Sequence, residues 1–559
     1  MLKAEKLLGK YPLLIILLLS IPAILALLVP GFYGASDDLH IAWLQQMDKV
    51  IREGQIPPRF VPDLSYGFGY PLFNFVFPLP FYIAEVFHLL GFSLVDSIKI
   101  LFGLSLPLSG YFMYKLLKEY AGVLLSLAGA VVYIYTPYRS TDIYVRGAIG
   151  EIVAFVFLPL IILAVLKITQ KSKRGKCWVG ILGLSTAALV MSHNIMAYMF
   201  FPFVLLFVVV KLFSSHSPRL QIFLKILAGL ILGLLISVYF WLPAIVESSL
   251  LKYDTIFNFK DHFPTIKQLI TPYFGYGASV AGPYDGMSFF MGTVNLSLII
   301  VGILVLLIHR KKPKNEQLVI PIWAFLVFAT SVFLMNHRSS FVWDKIPLIP
   351  YFQFPWRFLS MTTFVAPLFI ILLQKFKYWK AIAVSLIVIT IMINYSYYRP
   401  HDFLGRTDAY YLNRYIPYPV ASNEYRQTAE EYLRLPKATS VRPSDNSLRV
   451  ELSAGQIDNL KLVNSLDANF EVNSGIPAVV SYNKYLFPGW TVKVDDREIA
   501  LGSGEPFGQI VFEVPAGIHN IEVKFRETNT RMVLNWISVL SFMATLGMIV
   551  GLNKKHESN

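Results

Sequence analysis

The chain has 559 residues, 55% of them hydrophobic and 15% charged, with a mean hydropathy of +0.55, whereas a soluble globular protein carries roughly 25% charged residues. This is the composition of a multispan membrane protein. The formal net charge is +14, but the one long polar stretch, residues 397–530, holds 14 basic and 17 acidic residues. The basic surplus therefore sits among the apolar segments, and nucleic-acid binding by the polar stretch loses its support. Cys177 is the sole cysteine, which excludes an intrachain disulfide and a cysteine-based metal site.

Runs long enough to cross about 30 Å of hydrocarbon fall near residues 11–30, 97–117, 120–136, 150–168, 177–193, 195–213, 222–246, 289–309, 318–335, 357–374, 380–396 and 531–552. This predicts about twelve transmembrane helices. A further run, 71–91, contains Pro78, Pro80, Glu85 and His88. Basic clusters at Lys3/Lys6/Lys10, Lys115/Lys118, Lys167–Lys176, Lys211/Arg219/Lys225, Arg310–Lys314, Lys375–Lys380 and Lys554/Lys555 all share one side only if 71–91 does not cross. The positive-inside rule then puts both termini in the cytoplasm and makes 71–91 an interfacial or re-entrant segment. The domain plan is a transmembrane module over 1–396 with a first external loop at 31–96, an extracytoplasmic domain over 397–530, and a final span and tail over 531–559. The first apolar run lacks a convincing small-residue cleavage site and reads as an uncleaved span.

Polar chemistry gathers at the external ends of the spans. After the first span comes SDDLHI, with Asp37, Asp38 and His40 opening a helix whose Leu39, Trp43, Met47 and Val50 share a face suited to the membrane surface. One of the two carboxylates suffices as an N-cap; a second, with His40, exceeds what a cap requires. The run from Arg59 to Tyr82 interleaves aromatics, Tyr66 and Tyr70 among them, with Gly67 and Gly69, and suits an interfacial belt or a wall for a sugar or lipid. The loop after the third span carries Arg139, Asp142, Arg146 and Glu151. An ionisable residue opening a span is costly and marks function by default, although a structural Arg146–Glu151 ion pair explains it equally well. His193 turns the hairpin between the fifth and sixth spans. Arg357 opens the tenth on the external side, where a guanidinium clamps phosphate or snorkels to headgroups. The 247–288 loop, with Asp285, could cover a sugar site, a surface loop being the default. Phosphate-loop, dinucleotide, zinc-protease and nucleophile-elbow motifs are all absent from the sequence.

The stretches SLRVELSA, AVVSYNKYLF, WTVKVDD, IALG, GQIVFEVP and HNIEVKFRE alternate in polarity between turn signals, which predicts an antiparallel β-sandwich-like domain. Residues 401–435 look helical or irregular.

The runs SDDLHI, RFVPDLSYGFGYPLFNFVFPLPFY, PYRSTDIYVRGAIGE, SHN and FPWRF resemble the multispan membrane proteins labelled 6-pyruvoyl-tetrahydropterin synthase-related, similar in plan to the GT-C glycosyltransferases. YLFPGWTVKVDD and VPAGIHNIEVKF also resemble the external domain of a related bacterial membrane glycosylation family. The label does not describe the chemistry, since nothing in the chain supplies a pterin synthase's histidine-bound zinc. The resemblance implies a GT-C-like plasma-membrane enzyme that transfers a sugar from a polyprenyl-phosphate donor to an extracytoplasmic glycan, lipid or protein. It implies catalysis by Asp37 or Asp38 and a second acidic loop in which Asp142 and Glu151 lie; from their own placement in the sequence, His40, Arg59, Tyr66, Tyr70, Asp142, Arg146, Glu151, His193 and Arg357 are expected on the substrates. It leaves a divalent cation open, because the second acidic loop has no DxD. A lipid-glycan flippase and a non-catalytic envelope scaffold stay as alternatives, and the oligomeric state is not implied.

Overall fold

Each run expected to cross the bilayer folds as helix in a computed structural model of the protein, which describes residues 2–170, 175–214, 218–252, 258–308, 318–426 and 434–557. Helix is the one local structure that satisfies every backbone N–H and C=O within its own segment in hydrocarbon. Among the described residues, eight helices are long and apolar enough to cross, and Val319–Met335 with His337–Lys345, bent by 88°, counts as a ninth if the pair is one span. The runs near 11–30, 120–136 and 289–309 form the shorter apolar helices Pro12–Leu28, Val123–Ile134 and Thr293–Ile308. Helix length alone thus supports eight or nine crossings, short of the twelve expected. The basic stretches at 171–174 and 310–314 lie outside the described residues.

The run 71–91 is not a continuous rod. It breaks into Leu72–Phe75 and Leu79–Leu89, separated around Pro78, whose ring cannot sit inside a helix without loss of a hydrogen bond. Phe81 of the second piece meets His40, Phe73 and Phe77 edge-on or stacked, with centroids 5.7, 5.4 and 6.3 Å away. Its partner helix in the first loop is His40–Arg52, which begins three residues later than the expected Asp37 because a turn occupies 36–39. Ile41, Ala42, Leu44, Met47 and Val50 of this helix are all fully buried. It is enclosed by protein on several faces, not laid on the bilayer as its amphipathic stripe suggested.

The polar domain contains nine strands, β1 (Val450–Leu452), β2 (Gln456–Leu462), β3 (Asp467–Ser474), β4 (Ala478–Tyr485), β5 (Trp490–Val494), β6 (Arg497–Glu498), β7 (Gly502–Gly504), β8 (Gln509–Val514) and β9 (Gly517–Phe525). They form two antiparallel sheets, ordered β1-β4-β8-β7 and β2-β3-β9-β5-β6. Inward side chains of both sheets, Val480, Tyr482, Ile510 and Phe512 from one and Val472, Val492, Ile521 and Val523 from the other, belong to one buried cluster. This is the expected sandwich. β2 and β3 were not expected, and IALG gives no strand of its own, the chain there passing between β6 and β7. Two short helices, Asp408–Tyr415 and Asn423–Arg426, lead into the domain.

The first long loop, residues 31–96, is the bed on which this sandwich rests. Lys484 Nζ donates to the carbonyls of Pro62 and Gly67, each at 2.7 Å, and the Tyr485 amide donates to Phe68 O at 3.0 Å. Phe60 packs against Trp490 and Phe525. Gly69, at φ +75°, lies so close to Phe60 that a Cβ there would meet the ring at 2.3 Å.

Candidate active site

The site is framed by a backbone contact between two loops. Thr141–Arg146 form a single π-type turn that ends on Gly147 at φ 69°, a widened turn of the kind that often marks functional positions. The amides of Ser36 and Asp37 donate to the carbonyls of Val145 and Arg146 at 3.1 and 2.7 Å. The acidic opening of the first loop is thereby clipped onto the acidic loop after Val123–Ile134. Gly147 fits because a Cβ would stand 3.2 Å from Ala35 Cβ and would face a left-handed backbone.

Four charges meet on this frame. Arg146 donates through Nη1 to Asp142 Oδ1 at 2.6 Å and through Nη2 to Glu151 Oε1 at 2.9 Å, and its guanidinium lies 4.9 Å from the centre of the Trp356 ring. Tyr138 donates to the other Glu151 oxygen at 2.9 Å. Arg357 Nη1 and His193 Nε2 each stand 3.9 Å from Glu151 Oε1. Asp142 and Glu151 are almost fully buried, so their pairing with Arg146 offsets a large desolvation cost. Burial, and secondly the Glu151 carboxylate, push the Asp142 carboxyl well above the usual range.

The arginines differ in one respect that decides what the cluster can do. Arg146 spends its donors on carboxylates within the protein. Arg357 Nε and Nη1 are buried with no hydrogen-bond acceptor among the described residues. His193 Nδ1 accepts from the Met196 amide at 3.0 Å, which leaves Nε2 as the ring nitrogen that faces the cluster. Its ring packs on Phe77. A partner of opposite charge would satisfy Arg357, and phosphate suits a guanidinium best.

Asp37 and Asp38 part company. Asp38 is buried and accepts a hydrogen bond from Tyr415, with Arg406 Nη1 at 3.6 Å. Burial pushes its carboxyl up, while Tyr415, Arg414 and Arg406 pull it down. It ties the first loop to the Asp408–Tyr415 helix. Asp37 is partly exposed, and its side chain caps no helix. Its charge is felt by both Arg357 and His40. His40 is buried, which lowers its pKa, and it hydrogen-bonds to the Gly147 backbone.

Of the residues expected at the site, Asp37, His40, Asp142, Arg146, Glu151, His193 and Arg357 come together. Arg59, Tyr66 and Tyr70 do not. Arg59 donates to Glu527 and Asn535 at 3.0 and 3.1 Å, Tyr66 packs edge-on against Tyr425, and the Tyr70 hydroxyl accepts from the Arg434 amide at 3.1 Å. These residues hold the C-terminal β-domain on its bed. Tyr138, Trp356 and Phe77 were missed as site residues, because an aromatic beside an apolar run reads as core. Each lay within a segment that drew attention, Tyr138 and Trp356 directly before Arg139 and Arg357 and Phe77 eight residues before Glu85. A divalent cation does not fit between Asp142 and Glu151, since the Arg146 guanidinium already bridges them. Among the described residues no group of three or more His, Cys, Asp or Glu side chains gathers as a metal cradle.

Helices long and apolar enough to cross the bilayer, a β-sandwich docked on the first loop, and a buried arginine–carboxylate cluster between the loops define the class as a multispan membrane protein with a polar site at the ends of its helices. The chain belongs to the family described as "6-pyruvoyl-tetrahydropterin synthase related domain; membrane protein", which matches residues 73–399. An uncharacterized protein of Lactococcus lactis subsp. cremoris (strain MG1363) is 24% identical over 196 residues, 34% of this chain and 32% of that relative's length. Among solved structures, the arabinofuranosyltransferase AftD from Mycobacteria matches with a TM-score of 0.41 and 13% identity, over 68% of this chain and 26% of its own. ArnT from Cupriavidus metallidurans, bound to undecaprenyl phosphate, matches with a TM-score of 0.42 and 15% identity, over 69% and 63%. The Archaeoglobus fulgidus oligosaccharyltransferase matches with a TM-score of 0.40 and 14% identity, over 78% and 58%.

Proposed function

We propose that the protein is an integral-membrane glycosyltransferase that moves a sugar from a polyprenyl-phosphate donor to a hydroxyl acceptor on the external side. The observation that carries this reading is a chain of contacts that joins the opening of the first loop to Arg357: the Asp37 amide donates to Arg146 O at 2.7 Å, Arg146 donates to Glu151 at 2.9 Å, and Arg357, whose buried Nε and Nη1 have no acceptor among the described residues, stands 3.9 Å from the same Glu151 oxygen. In this reading Asp37 is the base and Arg357 the anion receptor. The motif resemblance points to the same chemistry.

In this reaction Asp37 takes the proton from the acceptor hydroxyl as its oxygen bonds to the anomeric carbon. The bond from that carbon to the phosphate oxygen breaks, and the lipid phosphate leaves with the electron pair. Arg357 meets the growing negative charge, with Arg146 behind it. Glu151 and Asp142 do not react; they hold Arg146 in place. His193 Nε2 supplies a neutral donor toward the same oxygens. Two guanidiniums, Arg146 and Arg357, flank the Glu151 carboxylate, which suits a phosphate that gains charge as it leaves.

The test is sugar transfer by the purified full chain in nanodiscs, supplied with a panel of polyprenyl-phosphate sugars and membrane extract. Asp37→Asn should lower transfer by about 10²–10⁴, the range for a general base, with unchanged expression and thermal unfolding. Arg357→Ala should lower it by about 10²–10³ and relieve the preference for a phosphate-linked donor. Full transfer by Asp37→Asn removes the base, and movement of lipid across the bilayer with no glycosylated product by wild type favours the flippase reading.

A further inference from the structure

A second concave feature adjoins the charge cluster and plays no part in the chemistry above. It is a cleft of about 640 Å³ lined by Gly34, Ala35, Ser36, Val145, Tyr276, Gly277, Ala278, His401 and Asp402, within the roughly 300–1,000 Å³ of small-molecule sites. Its floor, Ser36 and Val145, is the pair of residues that immediately precede Asp37 and Arg146 and are joined by the 3.1 Å backbone bond. A ligand seated there touches Ser36, the residue next in sequence to Asp37.

The wall is held rigidly. Tyr276 donates its hydroxyl proton to Arg399 O at 3.1 Å, and its backbone pairs with Met287 across the external loop. The neighbouring Phe274 ring stacks on Tyr397, 4.9 Å between centroids and 10° between planes. Asp285 closes the loop by accepting from Gln268, Ser279 and the Val280 amide. Beside it, His401 meets the Tyr276 ring edge-on at 5.2 Å and shares a 2.6 Å hydrogen bond with Asp402.

The lining fits one ligand chemistry. An aromatic ring offers an apolar face, while His401, the Asp402 carboxylate and exposed backbone at Gly34 and Gly277 offer donors and acceptors at close approach. Among the described residues no Lys or Arg side chain lines the cleft, and Asp402 opposes an anion. The phosphate-bearing donor therefore has no place in it. We infer that the cleft is a saccharide subsite, which takes a neutral, hydroxyl-rich sugar ring of the acceptor against Tyr276 and presents it to Asp37. This rests on the glycosyltransferase reading for the role of the sugar, though not for its binding.

Saccharide binding can be measured without turnover. The full chain in nanodiscs is probed by saturation-transfer NMR with the methyl glycosides of glucose, galactose, mannose and N-acetylglucosamine. At least one glycoside should show saturation transfer, weakened by about tenfold or more in affinity by Tyr276→Ala, about 1.4 kcal/mol, and by Ala278→Trp, which fills the cleft from an exposed position. Tyr276→Phe should retain it, and Arg357→Ala should leave it unchanged. If Tyr276→Ala alters thermal unfolding, Ala278→Trp decides. Absence of transfer from all four glycosides, or a signal that survives Ala278→Trp, overturns the subsite. A cleft that binds sugar in a protein whose Asp37→Asn variant keeps full activity sinks the catalytic reading alone; a transferase confirmed by its Asp37 and Arg357 variants with no glycoside bound sinks the subsite alone.

Discussion

Two adjacent aspartates show how far residue type carries and where it stops. The sequence singles out Asp37 and Asp38 together, because two carboxylates and a histidine within one turn exceed a helix cap. It cannot separate them, since the separation depends on Tyr415 and Arg406, nearly 400 residues later. With its partners in view, Asp38 is a tie and Asp37 is available. Asp38→Asn should therefore cost about 1–3 kcal/mol of stability through its lost charged partners while lowering sugar transfer less than tenfold, the reverse of Asp37→Asn. Thermal unfolding and transfer measured on the same preparations check this. Gly147→Ala should also act at a distance. It adds a methyl 3.2 Å from Ala35 Cβ on a backbone at φ +69°, costs about 1–2 kcal/mol, and shifts Asp37 against the arginines, so activity should fall more than stability.

At the scale of elements, legibility followed polarity. β4, β8 and β9 announced themselves by apolar alternation, whereas β2 and β3 read QIDNLKL and DANFEVNS. β2 is exposed along most of its length, and β3 buries only Ala468, Phe470 and Val472 among its apolar residues, so neither sequence looks like a strand in isolation. The Arg59–Tyr82 run was recognised as special for the right residues and the wrong reason. Phe60 and Phe68 face the sandwich while Phe77 and Phe81 face His193 and His40, and no single-chain pattern distinguishes a wall for a ligand from a wall for another domain. Arg59→Ala should therefore leave the charge cluster intact but free the sandwich from its bed. We expect a loss of about 3–5 kcal/mol, typical of a broken buried pair, seen as faster proteolysis between 397 and 530. The Leu79–Leu89 helix carries a pH dependence. Glu85 is buried against Asp48, with Arg52 beyond it, and burial first and Asp48 second push its carboxyl up to about 8. The folded protein then binds this proton more tightly than the unfolded chain does. Its stabilising effect is complete below the ordinary glutamate range and is lost as pH rises toward 8. Glu85→Gln should flatten that slope, with a higher unfolding temperature than wild type at pH 8.5 and little difference at pH 4.5.

For the whole molecule, apolar runs located every helix of the bundle, because a hydrocarbon solvent leaves the backbone no alternative. What they could not give was the number of crossings. Val123–Ile134 and Leu79–Leu89 are similar in length, and helix geometry alone treats them alike. Charge and packing separate them. Leu79–Leu89 lies against the His40–Arg52 helix and carries Phe81 to His40, so it shares a compartment with the first loop, and a crossing there would put the basic N-terminus opposite every other basic cluster. Cysteine labelling tests this in a background made cysteine-free by Cys177→Ser. Ser36→Cys and Leu90→Cys, the latter at a side chain 72% exposed, should both react with an impermeant maleimide from outside intact cells. Tyr378→Cys, 68% exposed beside the Lys375–Lys380 cluster, should react only after permeabilisation. Reaction of Ser36→Cys and Leu90→Cys from opposite sides would make 71–91 a true span. It would reverse the parity of every later segment and count against the shared side that the 2.7 Å bond from the Asp37 amide to Arg146 O and the 2.9 Å Arg146–Glu151 pair support.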